Sequence, residues 1–224
     1  MHERWLNERQ QEHYYRLAKK KGFRSRASFK LIQIDRRFGI FSEGDAVADL
    51  GAAPGGWLQV AGDLVGDKGR VVGVDLRPIK RLGDITTIIG DITEDSTMLA
   101  LMNELGGKAD VVISDMAPDM SGNYSTDHAR SVHLCKHALG VCDRILRKNG
   151  KLVMKVFMGD MIPMLMEETE RRFTEVKRHS PDASRPSSSE MYVIATGFRA
   201  NVKVKMVEEK EEKARTFTIK GELL

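Results

Sequence analysis

Residues 46–57, AVADLGAAPGGW, run from a short apolar segment straight into a glycine-rich turn. Five residues of that kind, closed by a turn signal, suit a buried strand of a parallel sheet. The glycines let the chain turn sharply and let a ligand approach the backbone closely. Ala53 stands where G-x-G-x-x-G would require its second glycine, which disfavours a dinucleotide pyrophosphate. The G-x-x-x-x-G-K-[ST] pattern of a phosphate-binding loop is absent as well. The stretch reads as strand, ligand loop and helix, for a ligand without phosphates.

Outward from this loop, strands and helices alternate. Helices are expected from Ser25 or Ser28 to Phe38, and over Trp57–Val65, Asp95–Leu105, Asp127–Lys148 and Asp160–Arg172. Strands are expected over Ala46–Leu50, Arg70–Asp75, Ile85–Ile92, Ala109–Met116, Gly150–Phe157, Thr174–Ser180 and Met191–Phe198. This order predicts an α/β fold with a mostly parallel seven-stranded sheet and helices on both faces. Only a loop separates the last two strands, too little for a parallel crossover, so the last strand is expected to be antiparallel. Three regions follow: a basic arm (1–24), the α/β domain (25–199) and a charge-mixed tail (200–224).

The 224 residues suit one domain, and a hydrophobic content of 41% allows a sizeable core. No apolar run approaches the roughly 20 residues of a membrane span. The start, MHERWLNERQQEHYY, lacks the apolar centre of a signal peptide, so a cytoplasmic location is expected. On one helix, Cys135 and Cys142 would lie about 10 Å apart, beyond disulfide reach, and should be buried thiols. The net charge of +4 excludes little, but Arg16, Lys19, Lys20, Lys21, Arg24, Arg26 and Lys30 fall together without an acid among them. Such a cluster suits a polyanion, or forms a solvated helix face.

In open α/β sheets, ligands bind beyond the carboxyl ends of the strands. Asp49, Asp75, Asp91 and Asp115 lie there. Asp75 could accept both hydroxyls of an adenosine ribose, and Asp91 the adenine amino group. Asp115 could face an ammonium or sulfonium charge. The set suits S-adenosylmethionine, although each acid alone could be a turn former or cap. Lys155 interrupts the apolar strand LVMKVF, where an unpaired lysine is costly to bury. Lys30 in SRASFKL and Glu190 before the last strand are similarly conspicuous.

DLGAAPGGW, VDL-P, GDI, SDMAP-MSG, the strand lysine and the final SRP…S-EMY-ATGF resemble the FtsJ/RrmJ-type 2′-O-ribose RNA methyltransferases. Within that family the resemblance is strongest to the ribosomal RNA large subunit methyltransferase E group, and it covers residues 14–198. It implies a Rossmann-like class I S-adenosylmethionine-dependent methyltransferase. It implies a catalytic set of Lys30, Asp115, Lys155 and Glu190, and cofactor contacts from Gly55, Trp57, Asp75, Asp91 and Asp115. The implied target is a uridine in a large-subunit rRNA loop, met as RNA or in the assembled subunit.

The expected reaction is in-line attack of a ribose 2′-oxygen on the sulfonium methyl, with Lys155 as general base. A free lysine is protonated near neutral pH. A nearby Lys30, the sulfonium and desolvation all favour the neutral amine, so Asp115 and Glu190 are expected to orient the two lysines. No metal is expected: His133 and His137 are four apart, but a third ligand is missing. The arm is expected to steer RNA, with Tyr14, Tyr15 or Phe23 stacking on a base or packing on the domain. A monomer is expected. Competing readings are the same chemistry on transfer RNA or an mRNA cap, a small-molecule methyltransferase and a non-catalytic RNA-binding protein on the same fold.

Overall fold

Val47, Ala48 and Leu50 are wholly buried because strand β1 (Ala46–Leu50) lies at the centre of the sheet, covered on both faces. The computed structural model describes residues 14–184 and 189–200. A helical segment over residues 14–21 (α1) precedes α2 (Ala27–Phe38), and α3 (Gly56–Val65) follows β1. The chain continues as β2 (Arg70–Asp75), β3 (Thr86–Ile89), α4 (Asp95–Leu105), β4 (Ala109–Ser114) and α5 (Tyr124–Ile145). It ends with β5 (Leu146–Phe157), α6 (Ile162–Glu170), β6 (Phe173–His179) and β7 (Glu190–Phe198).

The strand order is β3-β2-β1-β4-β5-β7-β6. The first five strands pair in parallel, and β7 pairs antiparallel with both β5 and β6. This is the expected mostly parallel seven-stranded architecture with its antiparallel end. The order reverses between β1 and β4, which opens the crevice where such sheets take ligands. One apolar core lies under α4, α5 and α6, and a second lies under α2 and α3. Ala18 of α1 joins Phe29 and Ala183 in a smaller cluster. The N-terminal arm therefore packs on the domain from residue 14 onward, while residues 1–13 and the expected tail from 201 lie outside the described residues.

Several boundaries differ from expectation, two of them for reasons visible in the pairing. Helix α5 stops at Ile145 rather than Lys148, because Leu146 is extended and pairs with Ala109 of β4. Asn149 then takes a positive φ of 65° where β5 is irregular. Strand β3 ends at Ile89, so Asp91 sits in a turn beyond it, with its carboxylate accepting from the Thr93 N–H and hydroxyl. That local turn competes with the ladder for the backbone. Both cysteines are buried and free. Burial pushes the Cys135 thiol up to about 12.

Candidate active site

The loops after β1, β2, β3 and β4 surround a cavity of about 1070 Å³ that includes Gly51, Asp75, Asp91 and Asp115 in its lining. Gly51 adopts a φ of +73°, and a Cβ there would come within 2.5 Å of Met116, so the β1 and β4 loops meet only because this residue has no side chain. The Asp75 carboxylate, 8% exposed, is fixed by two backbone amides, with the Arg77 Nε 3.5 Å from its Oδ1. Its Oδ2 accepts from the Ala53 N–H and its Oδ1 from the Arg77 N–H, both at 2.9 Å. At Asp91, the hydrogen bonds from Thr93 hold the carboxyl below the usual range.

Asp49 is the unusual group. It is completely buried at the carboxyl end of β1, and neither carboxylate oxygen meets a partner among the described residues. Burial, and then the negative charges of Asp115 and Asp75, push its carboxyl well above the usual carboxylate range. Asp49 is not among the cavity's lining residues, so it bears on the cavity only through its neighbours Asp115 and Asp75.

The opposite side of the crevice is built by strand register. Lys155 of β5 stands directly across from Tyr192 of β7, and Phe157 across from Glu190. Side chains two apart on a strand share a face, so Lys155, Tyr192 and Glu190 all project toward the side covered by α2, which supplies Lys30. The Lys155 ammonium donates to the Asp115 carboxylate at 3.0 Å and to the Asp115 carbonyl at 2.6 Å. Lys30 pairs with Glu190. Burial raises the Glu190 carboxyl, but the ammonium groups of Lys30 and Lys155 outweigh it and hold the group below its usual range. Tyr192, fully buried, links the two pairs: its hydroxyl donates to Asp115 at 2.9 Å, and Lys30 lies 5.8 Å from its ring centroid.

The structure thus brings Lys30, Asp115, Lys155 and Glu190 together, with Asp115 shared between this cluster and the cavity. Asp75 and Asp91 line the cavity, but Gly55 and Trp57 are not among its lining residues. Gly55 caps α3 with a φ of 104°. The Trp57 indole, 3% exposed, donates to the Ala27 carbonyl and packs on Tyr192. Sequence reasoning missed Tyr192, since only the β5–β7 register sets it opposite Lys155. It also missed Asp127, whose buried carboxylate accepts from Ser121 and Gly122 and so anchors the loop following Asp115.

On the rim, His133 and His137 line the cavity with ring nitrogens 2.9 Å apart. Burial and then His133 lower the His137 pKa. Among the described residues, no three His, Cys, Asp or Glu side chains form a group that could hold a metal ion. The basic cluster divides, with Arg26 half-buried at the start of α2. Arg16, Lys19, Lys20 and Lys21 are exposed, Arg24 is turned onto backbone carbonyls, and Lys30 belongs to the buried site. Tyr14 and Phe23 pack on Phe29, whereas Tyr15 is 64% exposed.

A sheet of this order, carrying strand-end carboxylates around one cavity and a lysine–carboxylate cluster at its lip, has the architecture of a methyltransferase. The FtsJ-like methyltransferase family matches residues 23–198, and the chain belongs to that family. Among its relatives, Ribosomal RNA large subunit methyltransferase E of Methanothrix thermoacetophila is 52% identical over 185 residues, covering 83% of this chain and 72% of the relative. The protein of the same name from Hahella chejuensis is 47% identical over 197 residues, covering 88% and 96%. In solved structures, the fold is matched by a protein described as a ribosomal RNA methyltransferase from Plasmodium falciparum, with a TM-score of 0.70 at 23% identity. That match covers 79% of this chain and 98% of the other. Among the described residues, no helix is long and apolar enough to cross a membrane.

Proposed function

We propose that this protein transfers a methyl group from S-adenosylmethionine to the 2′-hydroxyl of a ribose in RNA, at a uridine in a large-subunit rRNA loop. The observation that carries the reaction is the Lys155–Asp115 pair, which joins the lysine–carboxylate cluster to the cavity. The large-subunit target rests on the names of the relatives, all proteins covered over most of their length.

The residues present fit the donor. Asp115, which lines the cavity, answers the positive methionine end, a sulfonium with an ammonium beside it, and the orphaned Asp49 carboxyl is buried outside that lining. Asp75, held in place by two backbone amides, has remaining acceptor capacity for the ribose hydroxyls. Asp91 is the acceptor for the adenine amino group. Gly55 and Trp57 then shape the cofactor loop from behind its surface.

When bound, S-adenosylmethionine supplies an activated methyl on sulfur. Lys155, as the neutral amine, would orient the 2′-hydroxyl and accept its proton at Nζ. Asp115 fixes the Lys155 amino group from two directions, through carboxylate and carbonyl. Glu190 does the same for Lys30, and Tyr192 couples the two pairs. Holding the acceptor in line contributes most of the rate, since the donor is already reactive. Exposed Arg16, Lys19, Lys20 and Lys21 on α1 supply phosphate contacts.

The test is methyl transfer from labelled S-adenosylmethionine to large ribosomal subunits lacking the modification, with free rRNA and transfer RNA in parallel, followed by nucleoside analysis. A 2′-O-methyluridine from the ribosomal samples alone is the expected result. Label on transfer RNA would keep the chemistry and overturn the target. No label on any RNA would overturn the reading.

A further inference from the structure

Arg24 belongs by sequence to the basic cluster, and its charge marks it as one more phosphate contact. Its geometry says otherwise. Its Nη1 donates to the Pro54 carbonyl at 3.0 Å and to the Lys80 carbonyl at 2.5 Å, while its Nη2 donates to the Arg81 carbonyl at 2.8 Å. The Arg24 N–H donates to the Gln59 side chain at 2.8 Å, which in turn donates to the Gly22 carbonyl. One guanidinium thus binds the loop after β1 to the loop after β2, and its own backbone is pinned to α3.

Those two loops carry the cofactor side of the cavity. Gly51 and Ala53 of the first line it, as do Leu76 and Arg77 of the second. Their amides meet on the two oxygens of Asp75, Ala53 from one loop and Arg77 from the other. Beyond Arg77, the other described hydrogen bonds of the β2 loop are local, from Arg81 Nε to the Gly83 carbonyl and from the Ile85 N–H to the Leu82 carbonyl. Gly55 leaves room for the clamp: a Cβ there would lie 3.0 Å from Arg24 Nη1 and 2.7 Å from Leu82.

We infer that Arg24 is a positioning residue of the cofactor site, acting through the two loops that hold Asp75. A guanidinium presents five donors in a rigid fork and can serve three carbonyls of two loops at once. A lysine ammonium on a flexible stem lacks that fixed geometry. The inference rests on the cavity being the S-adenosylmethionine site.

The test is direct titration of the full chain with S-adenosylmethionine by calorimetry, without RNA, for the wild type, Arg24→Ala and Arg24→Lys, with circular dichroism to confirm folding. Steady-state kinetics with varied cofactor and varied RNA follow. Arg24→Ala is expected to weaken cofactor binding about tenfold, the size expected from losing one to two charge-assisted bonds. Turnover at saturating cofactor and the KM for RNA should change by no more than about twofold, a margin of under half a kcal/mol. Arg24→Lys should remain several-fold weak although it keeps the charge. Unchanged cofactor affinity in a folded Arg24→Ala variant would overturn the inference, as would a loss confined to RNA affinity or full rescue by lysine. Should Arg24→Ala fail to fold, the lysine variant alone decides, by the same split. A wild type that binds no S-adenosylmethionine would overturn this inference together with the cofactor reading, whereas a wild type that binds and a variant that binds equally well would overturn this inference alone.

Discussion

On the β1–β2–β3 side of the crevice, the Asp75 and Asp91 carboxylates are held by backbone amides of turns, with the neighbouring Arg77 guanidinium at Asp75 and the neighbouring Thr93 hydroxyl at Asp91. On the β4–β5–β7 side, carboxylates are held by ammonium groups from distant elements. Backbone amides are fixed by the course of their loops and have no rotatable side-chain stem, which suits a site that must hold a defined small molecule. Ammonium groups on long side chains can move and exchange protons, which suits a site where chemistry happens. Removing a side chain on the first side should therefore change affinity, and on the second side turnover.

The largest effect expected is at Lys155. Lys155→Ala should lower methyl transfer by about 10²-fold or more, the range for loss of a general base, while cofactor affinity changes little. Labelled transfer at saturating cofactor measures the first quantity and calorimetry the second. A variant that turns over normally would remove Lys155 from the mechanism and break the contrast on its catalytic side.

Asp75→Ala should show the opposite pattern. Loss of the carboxylate proposed to accept from the cofactor, together with release of the Ala53 and Arg77 amides, should weaken S-adenosylmethionine binding by about 10- to 100-fold, corresponding to hydrogen bonds with a charged partner of about 1.5–3 kcal/mol. Turnover at saturation should fall far less. Equal losses in affinity and turnover would show that the two sides of the crevice do not divide the labour.

The same contrast governs what the sequence discloses. The strand–loop–helix on the β1–β2 side was legible because AVADLGAAPGGW and RVVGVD are contiguous, and their turn chemistry and burial are local properties. Lys155 announced itself as a charge inside an apolar strand. Tyr192 did not, because an apolar-flanked tyrosine in a strand is ordinary until the β5–β7 register sets it against Lys155. Arg24 misled for a related reason: charge counting cannot tell which way a guanidinium turns, and this one folds onto three carbonyls. The ends of α5 and β3 shifted where pairing of Leu146 and the turn at Asp91 overrode periodicity.

Asp49 gives the finest test, because on the β1–β2–β3 side it lacks the amides that hold Asp75 and Asp91. Its carboxyl is raised by burial and by Asp115 and Asp75. Above the ordinary carboxylate range the folded protein therefore keeps a proton that the unfolded chain has lost. Stability from this group is complete below the unfolded pKa of about 3.9, and it is lost as pH rises toward the raised folded value. Asp49→Asn removes that slope. At pH 8 the variant should be more stable than the wild type by on the order of 1 kcal/mol, a Tm difference of about 2–4 °C that shrinks as the pH is lowered toward 4. Adding S-adenosylmethionine should reverse the ranking, because a cation stabilises the wild-type carboxylate and offers nothing comparable to the amide. Thermal melts at pH 8 and pH 5, with and without cofactor, separate the possibilities. A variant that is less stable at pH 8, yet gains as much from the cofactor as the wild type, would make Asp49 a structural anchor and leave the positive end of the ligand to Asp115.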